Sequence, residues 1–189
     1  MKRTQNQAEQ IKRARRFRLI AIPLLALILL LALVLFKKLY LDKPSSYEKN
    51  GKVLEGPYLV TRMADGDTFY IKRKGEVVKV RLIGVDAPES VAPEFSGKEN
   101  TEEGKIASEY LSKLILSKNV YLEFDLDDYD QYGRLLAYVY LSDQQTMVQE
   151  VLLSEGYVQV MTIQPNVKYA DQFLKLQQKA RSEGKGFWK

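Results

Sequence analysis

Eighteen consecutive residues without a charge, Leu19 to Phe36, split this chain into two parts that cannot fold by the same rules. As a helix such a run rises about 1.5 Å per residue, roughly 27 Å in all, close to the hydrocarbon thickness of a bilayer. It has no polar face, so it does not suit the surface of a globular core. Pro23 falls in the first turns, where its missing N–H costs least. Lys2, Arg3, Lys12, Arg13, Arg15, Arg16 and Arg18 precede the run, whereas only Lys37, Lys38 and Lys43 follow closely. That bias predicts a cytoplasmic N-terminus and an extracytoplasmic remainder. A cleaved signal peptide has a shorter apolar stretch and a small-x-small site, and Phe36–Lys37–Lys38–Leu39–Tyr40 offers none. The expected layout is a basic cytoplasmic segment (1–18), a single transmembrane helix (19–36), a linker (37–56) and a globular domain (57–189). The chain would sit in the cell membrane, with a secreted form if the anchor is cleaved.

Composition narrows the chemistry of the second part. The 189 residues include no histidine and no cysteine, which removes disulfides, thiolate nucleophiles and Cys/His metal sites. The net charge of +5 is unevenly spread. Residues 1–43 hold ten Lys/Arg against two acids, and residues 44–189 hold 19 against 22. The basic balance therefore belongs to the membrane segment, and affinity of the domain for a polyanion must come from local arrangement.

The stretch DKPSSYEKNGKVLEG (42–56) reads as polar linker, after which the pattern turns to strands. Tyr58–Met63, Thr68–Lys72 and Val77–Ile83 come first, with a turn at Lys74–Gly75 between the last two. In the third strand Val78, Val80 and Leu82 share one face and Arg81 points to the other. A helix is predicted over Thr101–Leu116, capped by Asn100 with Glu103 three residues after the first helical position's cap. Val120, Leu122 and Phe124 mark a fourth strand and Arg134–Leu141 a fifth, apolar enough to be buried on both faces. Thr146 with Gln149 opens a second helix that Gly156 ends, and a third runs over Val167–Ser182. Five strands with a helix between the third and fourth predict an α+β chain: a five-stranded OB-fold β-barrel with three helices, preceded by one transmembrane helix.

Three stretches carry the chemistry: Asp65–Gly66–Asp67–Thr68, Val80–Arg81–Leu82–Ile83–Gly84–Val85–Asp86–Ala87–Pro88–Glu89 and Asp130–Gln131–Tyr132–Gly133–Arg134–Leu135–Leu136–Ala137–Tyr138. Asp67 and Asp86 can offer carboxylates to a hard cation, and Glu89 lies three residues beyond. Arg81 and Arg134 can grip a phosphate bidentately. Singly, Asp65–Gly66–Asp67 is an ordinary turn, Glu89 a solvated carboxylate and each arginine an ion-pair partner.

Together, in this order, the blocks DGDT, RLIGVDAPE and DQYGRLLAY resemble the staphylococcal (thermonuclease-type) nuclease family. The likeness runs from about Tyr58 to Trp188 and excludes the apolar segment. It implies Ca²⁺ held by Asp67, Asp86 and the Ala87 carbonyl, with Arg81, Glu89 and Arg134 as the catalytic side chains. Glu89 would orient or deprotonate water, the arginines would hold the phosphate, and Asp65, Thr68 and Tyr132 would support them from behind. The implied activity is cleavage of DNA and/or RNA with little sequence preference, leaving 3′-phosphate ends, by a monomer tied to the membrane through residues 19–36. Four departures point to a looser hold on substrate: Ala87 where the family often has Thr, Gln131 in place of a lysine, no tyrosines to stack on a base within Tyr157–Pro165 beyond Tyr157 itself, and one lysine against two glutamates in Ser90–Asn100. A second function class stays open, an OB-fold module that binds single strands or protein without cutting.

Overall fold

The computed structural model describes residues 21–36, 45–49, 51–89 and 101–189. The chain divides into two compact units, Met1–Lys43 and Pro44–Lys189. In the first, residues 21–36 form helix α1, with its apolar side chains exposed. Among the described residues no helix is long and apolar enough to cross a membrane. Leu19 and Ile20 of the predicted span, the basic segment 1–18 and residues 37–44 lie outside the described residues.

The second unit is a closed five-stranded barrel. Its strands are β2 (Lys52–Met63), β3 (Thr68–Arg73), β4 (Glu76–Leu82), β6 (Asn119–Glu123) and β7 (Leu135–Tyr140). They follow the order β2-β3-β4-β7-β6, and β2 also pairs with β6, which closes the ring. β2 can serve both neighbours because it is long and kinked. Glu55–Leu59 pair with β6 and Val60–Met63 with β3, with register shifts along each seam. Alternation sets what goes inside: Phe69 and Ile71 of β3, Val80 and Leu82 of β4, and Val120 and Leu122 of β6 are at most 2% exposed. The pairing of β4 with β7 is parallel, and the helix α2 (Glu102–Ile115) and β6 lie between them in the chain.

These are the five strands the sequence predicts. The predicted linker fares differently. Residues 45–56 form a hairpin, with β1 (Ser45–Lys49) pairing antiparallel to the start of β2 around Gly51. Gly51 has φ +74°, a conformation in which glycine is unstrained. A further short pair joins β5 (Val85–Asp86) to β8 (Gln159–Val160).

Three helices flank the barrel: α2, α3 (Val148–Glu155) and α4 (Ala170–Ser182), followed by a 3₁₀ turn at Gly186–Trp188. Two expected caps are built otherwise. Thr101 caps α2, its hydroxyl accepting from the Gly104 N–H at 2.9 Å, while Asn100 lies outside the described residues. At α3 no capping box forms. Thr146 donates to Asp143, and Gln149 is fully buried, accepting from the Val139 N–H at 3.1 Å and donating to the Ala137 carbonyl at 3.0 Å. Gln149 thereby ties α3 to β7. Gly156 ends α3 as expected, with φ +73°.

Candidate active site

The end of β4 gathers the first cluster. Arg81 is 6% exposed although it points away from the barrel core. Its partners explain the burial. One guanidinium nitrogen lies 3.0 Å from Asp67 Oδ2 and donates to the Val85 carbonyl at 2.8 Å, and the other donates to Asp86 Oδ1 at 2.9 Å. The turn Ile83–Gly84 makes this possible by folding the chain back over the arginine, with Gly84 at φ +80°. One planar fork thus draws together carboxylates from two separated sequence blocks.

Asp67 is held on every side. Besides Arg81 it accepts from the Thr68 hydroxyl at 2.7 Å and from the Ala87 N–H at 2.9 Å. Burial pushes its carboxyl above the usual range, against the opposing pull of Arg81, the Ala87 N–H and the Thr68 hydroxyl, and the Asp65 charge adds to the rise. Asp65 accepts from the Gly66 N–H at 2.8 Å and so shapes the turn. Gly66 is there for space. A Cβ on it would come 2.7 Å from the Ala87 methyl and 2.9 Å from the Ala107 methyl of α2. The DGDT turn therefore packs directly against the second block and against the helix.

Arg134 builds the second cluster. Its Nε lies 2.6 Å from Asp130 Oδ2, while Asp130 Oδ1 accepts the N–H groups of Tyr132 and Arg134, each at 2.9 Å. Partial burial alone would raise the Asp130 carboxyl, but the Arg134 N–H and guanidinium and the Tyr132 N–H outweigh it and hold it below the usual range. Tyr132 is exposed, with the Arg134 guanidinium 5.4 Å from its ring centre. Sequence reasoning missed Asp130 as the residue that aims Arg134. Its position four residues before the arginine, at the head of a turn closed by Gly133, was the available signal.

Arg81 and Arg134 line one cleft of 320 Å³ with Gln131, Tyr132, Met161 and Ile163 among its other walls. Asp86 and Ala87 line a second, of 320 Å³, with Thr101, Gln159 and Trp188. The Arg81–Asp86 ion pair joins a residue of the first cleft to one of the second. Glu89 joins the site by its backbone, its carbonyl accepting the Thr101 N–H at 3.0 Å where α2 begins. Ala87 is 7% exposed and touches Asp67 through its N–H. Met161 and Ile163, from the segment Tyr157–Pro165 that lacks the tyrosines the resemblance implies, line the cleft instead, and the loop Ser90–Asn100 lies outside the described residues.

The donor chemistry suits a hard cation, since Asp67 and Asp86 converge and every available ligand is oxygen. Among the described residues no group of three or more carboxylates forms a metal cluster, so carbonyls and water would complete any such shell.

Residues 79–189 match the model of the family described as staphylococcal nuclease homologue. The chain is 36% identical over 163 residues to a thermonuclease of Staphylococcus intermedius, covering 86% of this chain and 94% of that one. It is 40% identical over 144 residues to the endonuclease YncB of Bacillus subtilis, covering 75% and 65%. Over 129 residues it is 42% identical to the prophage-derived endonuclease YokF of the same organism, covering 67% of this chain and 42% of YokF. With the barrel, the paired arginines and these relatives in agreement, the chain belongs to the staphylococcal nuclease family and is a nuclease of the hydrolase class.

Proposed function

We propose that the chain is a Ca²⁺-dependent, sequence-nonspecific nuclease, tethered to the cell membrane, that cuts DNA, RNA or both and leaves 3′-phosphate ends. The observation that carries the reading is the pair Arg81 and Arg134 on one cleft, each already oriented by carboxylates. Two planar forks can donate to the non-bridging oxygens of one phosphodiester and stabilise the charge that grows there during attack. Because their aspartate partners fix them beforehand, little reorganisation is needed when the phosphate arrives. In a chain without histidine a carboxylate is the natural group to take the proton from the attacking water, and the reading assigns this to Glu89. Asp67, Asp86 and the Ala87 carbonyl would hold Ca²⁺, which when bound supplies Lewis-acid polarisation of the phosphate.

The tether is supported by the apolar run 19–36 and the excess of basic residues before it. An external location would supply millimolar Ca²⁺, enough for a site of few carboxylates.

Purified full-length chain in mild detergent tests the reading on plasmid DNA and on RNA. Degradation with Ca²⁺, and its loss in EGTA and in Glu89→Ala, is expected. Cleavage indifferent to chelation would overturn the metal assignment, and binding of nucleic acid without cleavage under any divalent ion would favour the binding module. Retention in carbonate-washed membranes tests the tether, and release into the wash would refute it.

A further inference from the structure

The exterior of the barrel beside Arg134 carries a row of cations that the cleft chemistry does not use. Register places it. Tyr70 pairs with Arg62 on one side and with Lys79 on the other, and β4 meets β7 at Val80 and Leu135, one residue after Lys79 and Arg134. Arg62, Tyr70 and Lys79 thus follow one another across β2, β3 and β4, at about 5 Å per strand, and Arg134 comes immediately before β7, the next strand. The side chains share the outer face. The Arg62 guanidinium is 4.0 Å from the centre of the Tyr70 ring and the Lys79 ammonium 5.9 Å from it, so the two cations flank one half-buried aromatic. Lys72, two residues beyond Tyr70 on β3, extends the face and is exposed.

These cations differ from the other strand arginines of the domain. Arg73, Arg81 and Arg134 are each ion-paired to a carboxylate, whereas Arg62, Lys72 and Lys79 have no carboxylate partner among the described residues. In a unit whose residues carry more acids than bases, three unneutralised cations on one sheet face make a local positive strip. The strip begins one strand away from the arginine that faces the scissile phosphate. A polyanion seated there leaves the cleft directly onto it.

We infer that Arg62, Tyr70 and Lys79 form an exosite for the flank of a nucleic-acid strand whose scissile phosphate lies between Arg81 and Arg134. The inference rests on the nuclease reading of that cleft and adds where the rest of the strand runs. The cations take flanking phosphates, and the Tyr70 ring holds the two side chains apart and upright. The strip gives this acidic domain the substrate hold that Gln131 and the apolar Met161 and Ile163 do not supply in the cleft.

The test compares two probes on full-length chain in nonionic detergent: a dinucleotide, which fills only the cleft, and a fluorescein-labelled 12-mer single strand. Binding is read by anisotropy in EGTA and cleavage with Ca²⁺. In the double variant Arg62→Ala/Lys79→Ala the 12-mer is expected to bind about tenfold more weakly. The slope of log K against log salt should shrink by about 0.7 per cation removed. The dinucleotide should be cut with kcat/KM within twofold of wild type, and Arg62→Lys/Lys79→Arg should restore 12-mer binding. Unchanged 12-mer affinity and salt slope would overturn the exosite, as would an equal loss on both probes. Failure of wild type to cut the dinucleotide would instead strike the nuclease reading, leaving the anisotropy comparison to decide the exosite.

Discussion

Asp67 and Asp130 show two opposite uses of a carboxylate beside an arginine. Asp67 is almost fully buried, and burial holds its pKa above the ordinary value, so its charge is a cost the fold carries at neutral pH. Asp67→Asn should therefore cut kcat by about a hundredfold, as loss of a preorganised charge does. Its thermal midpoint in EGTA should stay level or rise, by about 2–4 °C for each kcal/mol recovered. Calorimetry alongside a plasmid assay reads both, and a large fall in the midpoint would show that Asp67 is structural. Asp130 has a depressed pKa, so the sign reverses. Its contribution is complete above the ordinary carboxylate range and is lost as pH falls from about 4 through its lowered value. The stability gap between wild type and Asp130→Asn should close over that acid window, and at neutral pH the variant should lose about tenfold in kcat/KM as Arg134 loosens.

Among the elements, the joint between the DGDT turn, Ala87 and α2 is tightly packed. Gly66→Ala would place a methyl against two other methyls, at 2.7 and 2.9 Å, neither of which can swing aside. Overpacking of this kind costs about 1–3 kcal/mol. Urea unfolding should show that loss, and activity should fall further than stability alone explains, because Asp67 and Ala87 must separate. A neutral Gly66→Ala would mean the turn has slack. Much at this scale was legible beforehand. Alternation marked the third and fourth barrel strands, β-forming residues the first two and unbroken apolarity the fifth, and alternation also set Arg81 opposite the apolar row. The hairpin at 45–56 was not legible, because its first strand, Ser45–Lys49, is polar and the glycine at its turn, Gly51, also reads as linker punctuation. Gln149 was misread for a related reason. Three residues after a threonine it fits a capping box, and only the fold shows that its amide meets two backbone groups of β7. The three blocks stand out because each lies at a turn, and the fold brings Asp67, Arg81 and Asp86 from two of them together. Asp130 escaped because its role is to aim a neighbour.

At the scale of the whole molecule, charge and chemistry reside in different units. The first unit holds the positive excess and the second holds the cleft. Residues 44–189 alone should bind an anion exchanger at neutral pH while the full chain binds a cation exchanger. The shorter protein should keep dinucleotide kcat/KM within about twofold, since none of the side chains proposed for catalysis belongs to residues 1–43. A loss beyond tenfold would show that the first unit takes part in catalysis.

Closure of the barrel through β2 has a consequence for how the molecule breathes. Because one strand holds both seams, neither neighbour can detach without disturbing the other, and the DGDT turn hangs directly from its end. Partial opening that would free the cleft while sparing the rest has no independent unit to act on. Amide protons of Val60 and Ile71 should then exchange with deuterium only through global unfolding, at one shared free energy, with the Leu82 amide, bonded to the Asp67 carbonyl, exchanging in step. The nuclease would be protected from proteolysis at its catalytic turn for as long as it is folded at all.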